Sequence, residues 1–106
     1  MINLQDVVLD FNKITDITPL KNLKSLRHLS LNCNEVKEVK SLQNLVKIYT
    51  LSLSHNQIKD ISPLKFLSEL YTINIGNNEI TDFSVLDELP NLEIINKENT
   101  DGKPNP

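Results

Sequence analysis

The sequence predicts an α/β repeat solenoid, in which each repeat supplies one short strand and one tight helical turn around a continuous core. Three observations predict it. One pattern of residue types recurs every 22 residues, each copy opens on an apolar-x-apolar triplet, and each continues with apolar residues three apart. Asn56 marks the period, with counterparts at Asn12, Asn34 and Asn78, each followed two residues later by Ile or Val. Such a period signals units that cannot bury their apolar faces alone and must stack on one another.

Each strand follows from alternation. Val7 and Leu9, Leu29 and Leu31, Leu51 and Leu53, and Ile73 and Ile75 point one way, and mostly polar residues between them point the other, as in a half-buried strand. Each turn follows from the period-three spacing of Leu20, Leu23 and Leu26 and their counterparts, which suits a tight helical turn better than a strand. Thr18-Pro19 and Ser62-Pro63 read as start signals, a hydroxyl able to cap and then a proline. With Lys40-Ser41 and Ser84-Val85 at the same places, the second and fourth turns are expected to start less sharply. Reading down the period, seven columns from Val7, Leu29, Leu51, Ile73 to Leu26, Ile48, Leu70, Leu92 contain no polar residue.

The asparagine column is expected to be structural. Where the chain leaves the strand, inward-pointing backbone groups lack sheet partners, and a stacked amide can both donate and accept. Asn12, Asn34, Asn56 and Asn78 form this ladder. After Leu92 the pattern decays: Lys97 stands in an apolar column and Thr100 replaces the asparagine. The array is therefore placed at residues 1–95, as four full repeats with an incomplete first unit. Residues 96–106 read as a partial cap running into a disordered tail.

Composition excludes more than it selects. The 106 residues carry a net charge of -3 without a basic block, which argues against a nucleic-acid partner. No apolar run approaches the roughly 18 residues of a membrane span, and Met1 to Asp6 lack the features of a signal peptide. A cytoplasmic protein with no membrane partner is expected, and the single cysteine, Cys33, agrees.

Written as one line, the pattern is L-x-x-L-x-L-x-x-N-x-I-x-D-I-x-P-L, and it resembles the leucine-rich repeat of the 22-residue class. Internalin-type bacterial proteins and phosphatase-regulator-type eukaryotic proteins share it. The resemblance covers about residues 4 to 95 in four copies. It implies a short right-handed arc with a parallel sheet on the concave face, 3-10 or short helical turns on the convex side, and a surface that binds another protein.

On that surface the outward residues form columns. Arg27, Tyr49 and Tyr71 precede the strands, and Tyr and Arg often anchor interfaces. With His28, Thr50, Thr72, Ser52, Asn74, Ser54 and His55 they make the candidate partner-binding face, the competing reading being that they only flank the strands. Cys33, His55 and His28 give too few converging ligands for zinc. A Ser-His-acid set from Ser52, Ser54, His55 and Asp10 implies no oxyanion donors. Asp16, Glu38, Asp60 and Asp82 stand one per repeat, unlike a calcium loop, and read as a solvated stripe with some turn-capping.

No catalytic residue, metal or cofactor is therefore expected. The leading reading is a non-catalytic protein-binding module. Its rivals are a structural or assembly segment contacting through its ends, and a targeting subunit like the phosphatase regulators. The first strand is expected to expose an edge together with Ile2, Leu4 and Leu9, so self-association, a partner there, or a longer array is predicted.

Overall fold

The computed structural model describes residues 3–100. Five strands, β1 (Asp6–Val8), β2 (His28–Ser30), β3 (Thr50–Ser52), β4 (Thr72–Asn74) and β5 (Ile94–Asn96), form one parallel sheet in sequence order. Between them lie 3-10 turns at Thr18–Leu20, Lys40–Leu42, Ser62–Phe66 and Ser84–Glu88. This is the repeat solenoid that the sequence predicts. The register equals the repeat: Leu29 pairs with Leu51, Leu51 with Ile73, and Ile73 with Ile95.

Alternation decides which side chains enter the core. Leu29, Leu31, Leu51, Leu53, Ile73 and Ile75 are buried from the sheet, and Leu42, Leu45, Leu64 and Leu67 meet them from the turns. In the first repeat the equivalent Val7, Leu9, Leu20 and Leu23 are only half-buried, because among the described residues β1 has a sheet neighbour on one side alone.

All four 3-10 turns begin alike. Ile17, Val39, Ile61 and Phe83 precede them with φ between -110 and -103 and ψ between 8 and 14. The second and fourth turns thus start as sharply as the others, contrary to expectation. Core packing of this apolar column sets the entry, and proline is not required. The hydroxyl-capping reading also needs correction, since no hydroxyl caps a turn, whereas the turn-capping expected of the acidic column is found at three of its four positions. Asp16, Asp60 and Asp82 each accept a hydrogen bond at 2.9 Å from the N–H two residues on, that of Thr18, Ser62 and Ser84. Glu38, one methylene longer, makes no such bond.

The inner amides join successive repeats. Asn34 Oδ1 accepts from the Ile14 N–H, Asn56 Oδ1 from Val36 and Asn78 Oδ1 from Ile58, all at 3.0–3.1 Å. Each Nδ2 donates to two carbonyls of its own repeat and one of the repeat before, as Asn56 does to Leu53, Ser54 and Leu31. Asn12 differs from the expected ladder: it is exposed and donates only to Leu9 and Asp10 of its own turn. At the other end Thr100 is buried, and its Oγ1 accepts from the Ile80 N–H at 3.4 Å. The expectations for Ile2 and for a disordered tail over 101–106 fall outside the described residues.

Candidate functional site

Each strand after β1 begins with a small irregularity that positions the outward residues. The carbonyl of Gln5 accepts from both Arg27 and His28, that of Arg27 from both Tyr49 and Thr50, and that of Tyr49 from both Tyr71 and Thr72. Two donors on one acceptor act as a bulge, which re-aims a side chain. Strict alternation would send Arg27, Tyr49 and Tyr71 inward beside Leu29, Leu51 and Ile73. The doubled contact turns them along the border of the sheet instead.

There they form a continuous column. The Tyr49 and Tyr71 rings stack with centroids 5.1 Å apart and an interplanar angle of 5°, close to the spacing of adjacent strands. The Arg27 guanidinium lies 5.4 Å from the Tyr49 centroid, and Nη1 of the same group is 3.6 Å from Glu69 Oε1. His28 meets the edge of Tyr49 at 6.2 Å, while its Nδ1 is 2.8 Å from Thr50 Oγ1. Asp6 Oδ1 approaches His28 Nε2 at 4.0 Å. Stacking of this kind contributes about 0.5–1.5 kcal/mol and an exposed cation–π contact about 0.5–1 kcal/mol. Together these contacts favour one arrangement of the column.

The rest of the predicted face is engaged differently. Asp10 Oδ1 accepts from the Ser30 hydroxyl at 2.6 Å and from the Asn32 N–H at 2.8 Å. One repeat on, Asn32 Oδ1 accepts from both the Ser52 and Ser54 hydroxyls and from the Ser54 N–H at 2.7–2.8 Å. From there the ladder changes rule. Asn74 Oδ1 serves the Gly76 N–H, and Asn96 Oδ1 the Glu98 N–H, each within one repeat. A Cβ at Gly76 would stand 3.1 Å from the Glu98 carbonyl and 3.3 Å from Asn96 Oδ1, so the changeover favours a residue without one. The Ser52 and Ser54 hydroxyls and the Asn74 Oδ1 thereby organise the sheet surface, each already partnered. Thr72 lies half-buried beside Tyr71.

His55 sits just past β3 with φ 57, as do Phe11, Cys33, Asn77 and Asn99 in their repeats with φ 53–59. This left-handed corner carries the chain from sheet to turn and separates His55 from the aromatic column. Sequence reasoning did not find it, although Asn at two of the five positions is the residue type that tolerates it. Glu69 was missed too; an opposite charge two repeats from Arg27 was its only signal. Among the described residues no group of three or more His, Cys, Asp or Glu is placed to hold a metal ion. No helix among them is long and apolar enough to cross a membrane.

Comparison with known families decides the relationship. A "leucine rich repeat" family model matches residues 2–58, and a model of two leucine-rich repeat copies matches residues 50–88. The chain belongs to the leucine-rich repeat family. Among curated protein sequences none matches. Among solved structures, an internalin (inlF) of Listeria monocytogenes is similar with a TM-score of 0.88 and 31% identity over 91% of this chain. Internalin C2 of the same organism is similar with a TM-score of 0.86 and 44% identity over 88%. This chain spans only 28% and 41% of those two proteins. A leucine-rich repeat protein of Leptospira interrogans, with a TM-score of 0.86 and 24% identity over 92% of this chain and 26% of its own, shares the fold. Leucine-rich repeat proteins generally mediate protein–protein interactions.

Proposed function

We propose that this leucine-rich repeat chain is a non-catalytic protein-binding module that takes its partner on the concave sheet face, along Arg27, Tyr49 and Tyr71. The observation that carries the reading is the stacked column itself. Tyr49 is 36% exposed yet held between a guanidinium and a second ring, so its exposed part is presented with little conformational entropy left to lose. Tyr and Arg in that state are the usual centres of interface energy. Affinity purification with the wild-type chain, with Tyr49→Ala and with a turn-side control, Lys40→Ala, tests the reading. Partners that survive Lys40→Ala and vanish with Tyr49→Ala support it, and partners indifferent to Tyr49 count against it.

A second reading concerns β1. Leu4, Val8 and Phe11 are 47%, 70% and 80% exposed, and an open strand edge beside apolar side chains favours pairing with another chain. Self-association there predicts a concentration-dependent sedimentation coefficient that Val8→Lys abolishes.

A further inference from the structure

The charge around the aromatic column identifies the chemistry of its partner. No lysine occupies a strand or any of the outward columns. Lys97, which follows β5, carries its ammonium 4.8 Å from the Phe83 centroid on the turn side. The outward columns hold the carboxylates of Asp6, Asp10, Glu93 and Glu98 against the one guanidinium of Arg27, which itself lies beside Glu69. This face is therefore acidic, while the lysines are distributed over the other sides.

Within the column, one unit already shows how a cation is held. Arg27 lies over Tyr49 and beside Glu69, so ring and carboxylate act on a single guanidinium. The next positions offer the same two elements again. Tyr71 is covered by Tyr49 on one face, and one strand further on stands Glu93, whose N–H donates to the Tyr71 carbonyl at 2.9 Å. Among the described residues no cation lies over Tyr71 or pairs with Glu93. Resting on the concave-face reading above, we propose that the partner is an extended basic peptide segment whose arginine or lysine stacks on Tyr71 and pairs with Glu93.

The reach of the segment follows from the sheet. Asp6 on β1 and Glu93 beside β5 are four strand spacings apart, about 19 Å at roughly 4.8 Å each. An extended peptide advancing about 3.3 Å per residue covers that in about six residues. A second basic residue about six positions from the first therefore reaches the carboxylates of Asp6 and Asp10, and the chain between them crosses the ordered hydroxyl and amide groups of Ser30, Ser52 and Asn74.

Random peptides displayed on phage and selected against the full chain test this. Selected sequences should be enriched in Arg and Lys, and their synthetic copies should bind about tenfold more weakly to Glu93→Lys and to Tyr71→Ala. Exchanging the peptide's critical basic residue for Glu should restore binding to Glu93→Lys, an outcome that mere loss of folding cannot produce. Glu93→Gln provides a milder variant, and circular dichroism checks that each variant is folded. Peptides that depend on Tyr49 but are neutral or acidic, or are indifferent to Glu93, overturn the basic-segment proposal and leave the concave-face reading standing. Selection that yields no peptide dependent on Tyr49 overturns both.

Discussion

The Oδ1 of Asn56 lies 3.0 Å from the backbone nitrogen of Val36, twenty residues earlier. Its Nδ2 donates at 2.9 Å to Leu31 of the same earlier repeat and at 3.0 Å to Leu53 of its own. One buried amide thus satisfies three backbone groups that no strand reaches. Asn56→Ala should destabilise by about 3 kcal/mol, since each buried group left without a partner costs about 1–3 kcal/mol. Asn12→Ala should cost less than about 1 kcal/mol, because Asn12 is exposed and links no second repeat. Urea denaturation of the two variants beside Ser54→Ala checks the order, and equal midpoints would refute the ladder's role.

The left-handed corners give a prediction of opposite sign. Cys33 and His55 hold φ 59 and 57, where a side chain crowds the following carbonyl at a cost of about 1–2 kcal/mol. Asn77 occupies the same corner at lower cost. His55→Asn and Cys33→Gly should each raise stability by up to about 1 kcal/mol, whereas Asn77→Val should lower it by a similar amount. Thermal melts of the three variants decide the matter. A fall in stability for both His55→Asn and Cys33→Gly would show that the native side chains make compensating contacts.

How much of this was legible depends on whether a feature repeats. Leu51, Leu53, Ile58, Ile61 and Leu64 announce their burial because every repeat must bury the same positions, so the period, the strands and the 3-10 turns could all be read. The turn starts differ from expectation because Thr18 and Ser62 lie where a capping hydroxyl would stand, yet it is their own N–H groups that are bonded, donating to Asp16 and Asp60 two residues upstream. The surface was legible only as a roster. Arg27, Tyr49 and Tyr71 could be named, but their alignment depends on a doubled hydrogen bond at each strand entry, which leaves no composition signature. Nor could sequence show that Ser52 and Ser54 spend their hydroxyls on Asn32.

Asp16 and Asp82 should contribute to the pH dependence of stability. The Thr18 hydroxyl and then the Thr18 N–H hold the Asp16 carboxyl below its ordinary range, and Ser84 does the same for Asp82. A carboxylate whose folded-state pKa is depressed contributes stability that is present above its unfolded pKa and is lost as pH falls through the folded value. Stability should therefore decline below about pH 4, the ordinary range for aspartate, and the decline should be shallower in the Asp16→Asn/Asp82→Asn double variant. Melting temperatures measured across that range check it. An equal slope in the double variant would assign the decline to other carboxylates.

The two tyrosines make the proposed site its own reporter. The chain has no tryptophan, and Tyr49 and Tyr71 are its only tyrosines, so tyrosine optical signals arise entirely from the column. Rings stacked at 5.1 Å with planes 5° apart perturb each other's transitions, so the tyrosine band in absorption and circular dichroism should contain a mutual contribution beyond the sum of the two rings. Either Tyr49→Phe or Tyr71→Phe should remove the whole of that contribution rather than half of it, because it needs both chromophores. Arg27→Ala should weaken it by loosening Tyr49, whose other face the guanidinium covers, with little loss of stability, as an exposed cation–π contact and a surface ion pair contribute about 1 kcal/mol or less each. Signals that simply add between the two single variants would show that the rings move independently in solution, and the column would then lack the preorganisation on which its role in recognition rests.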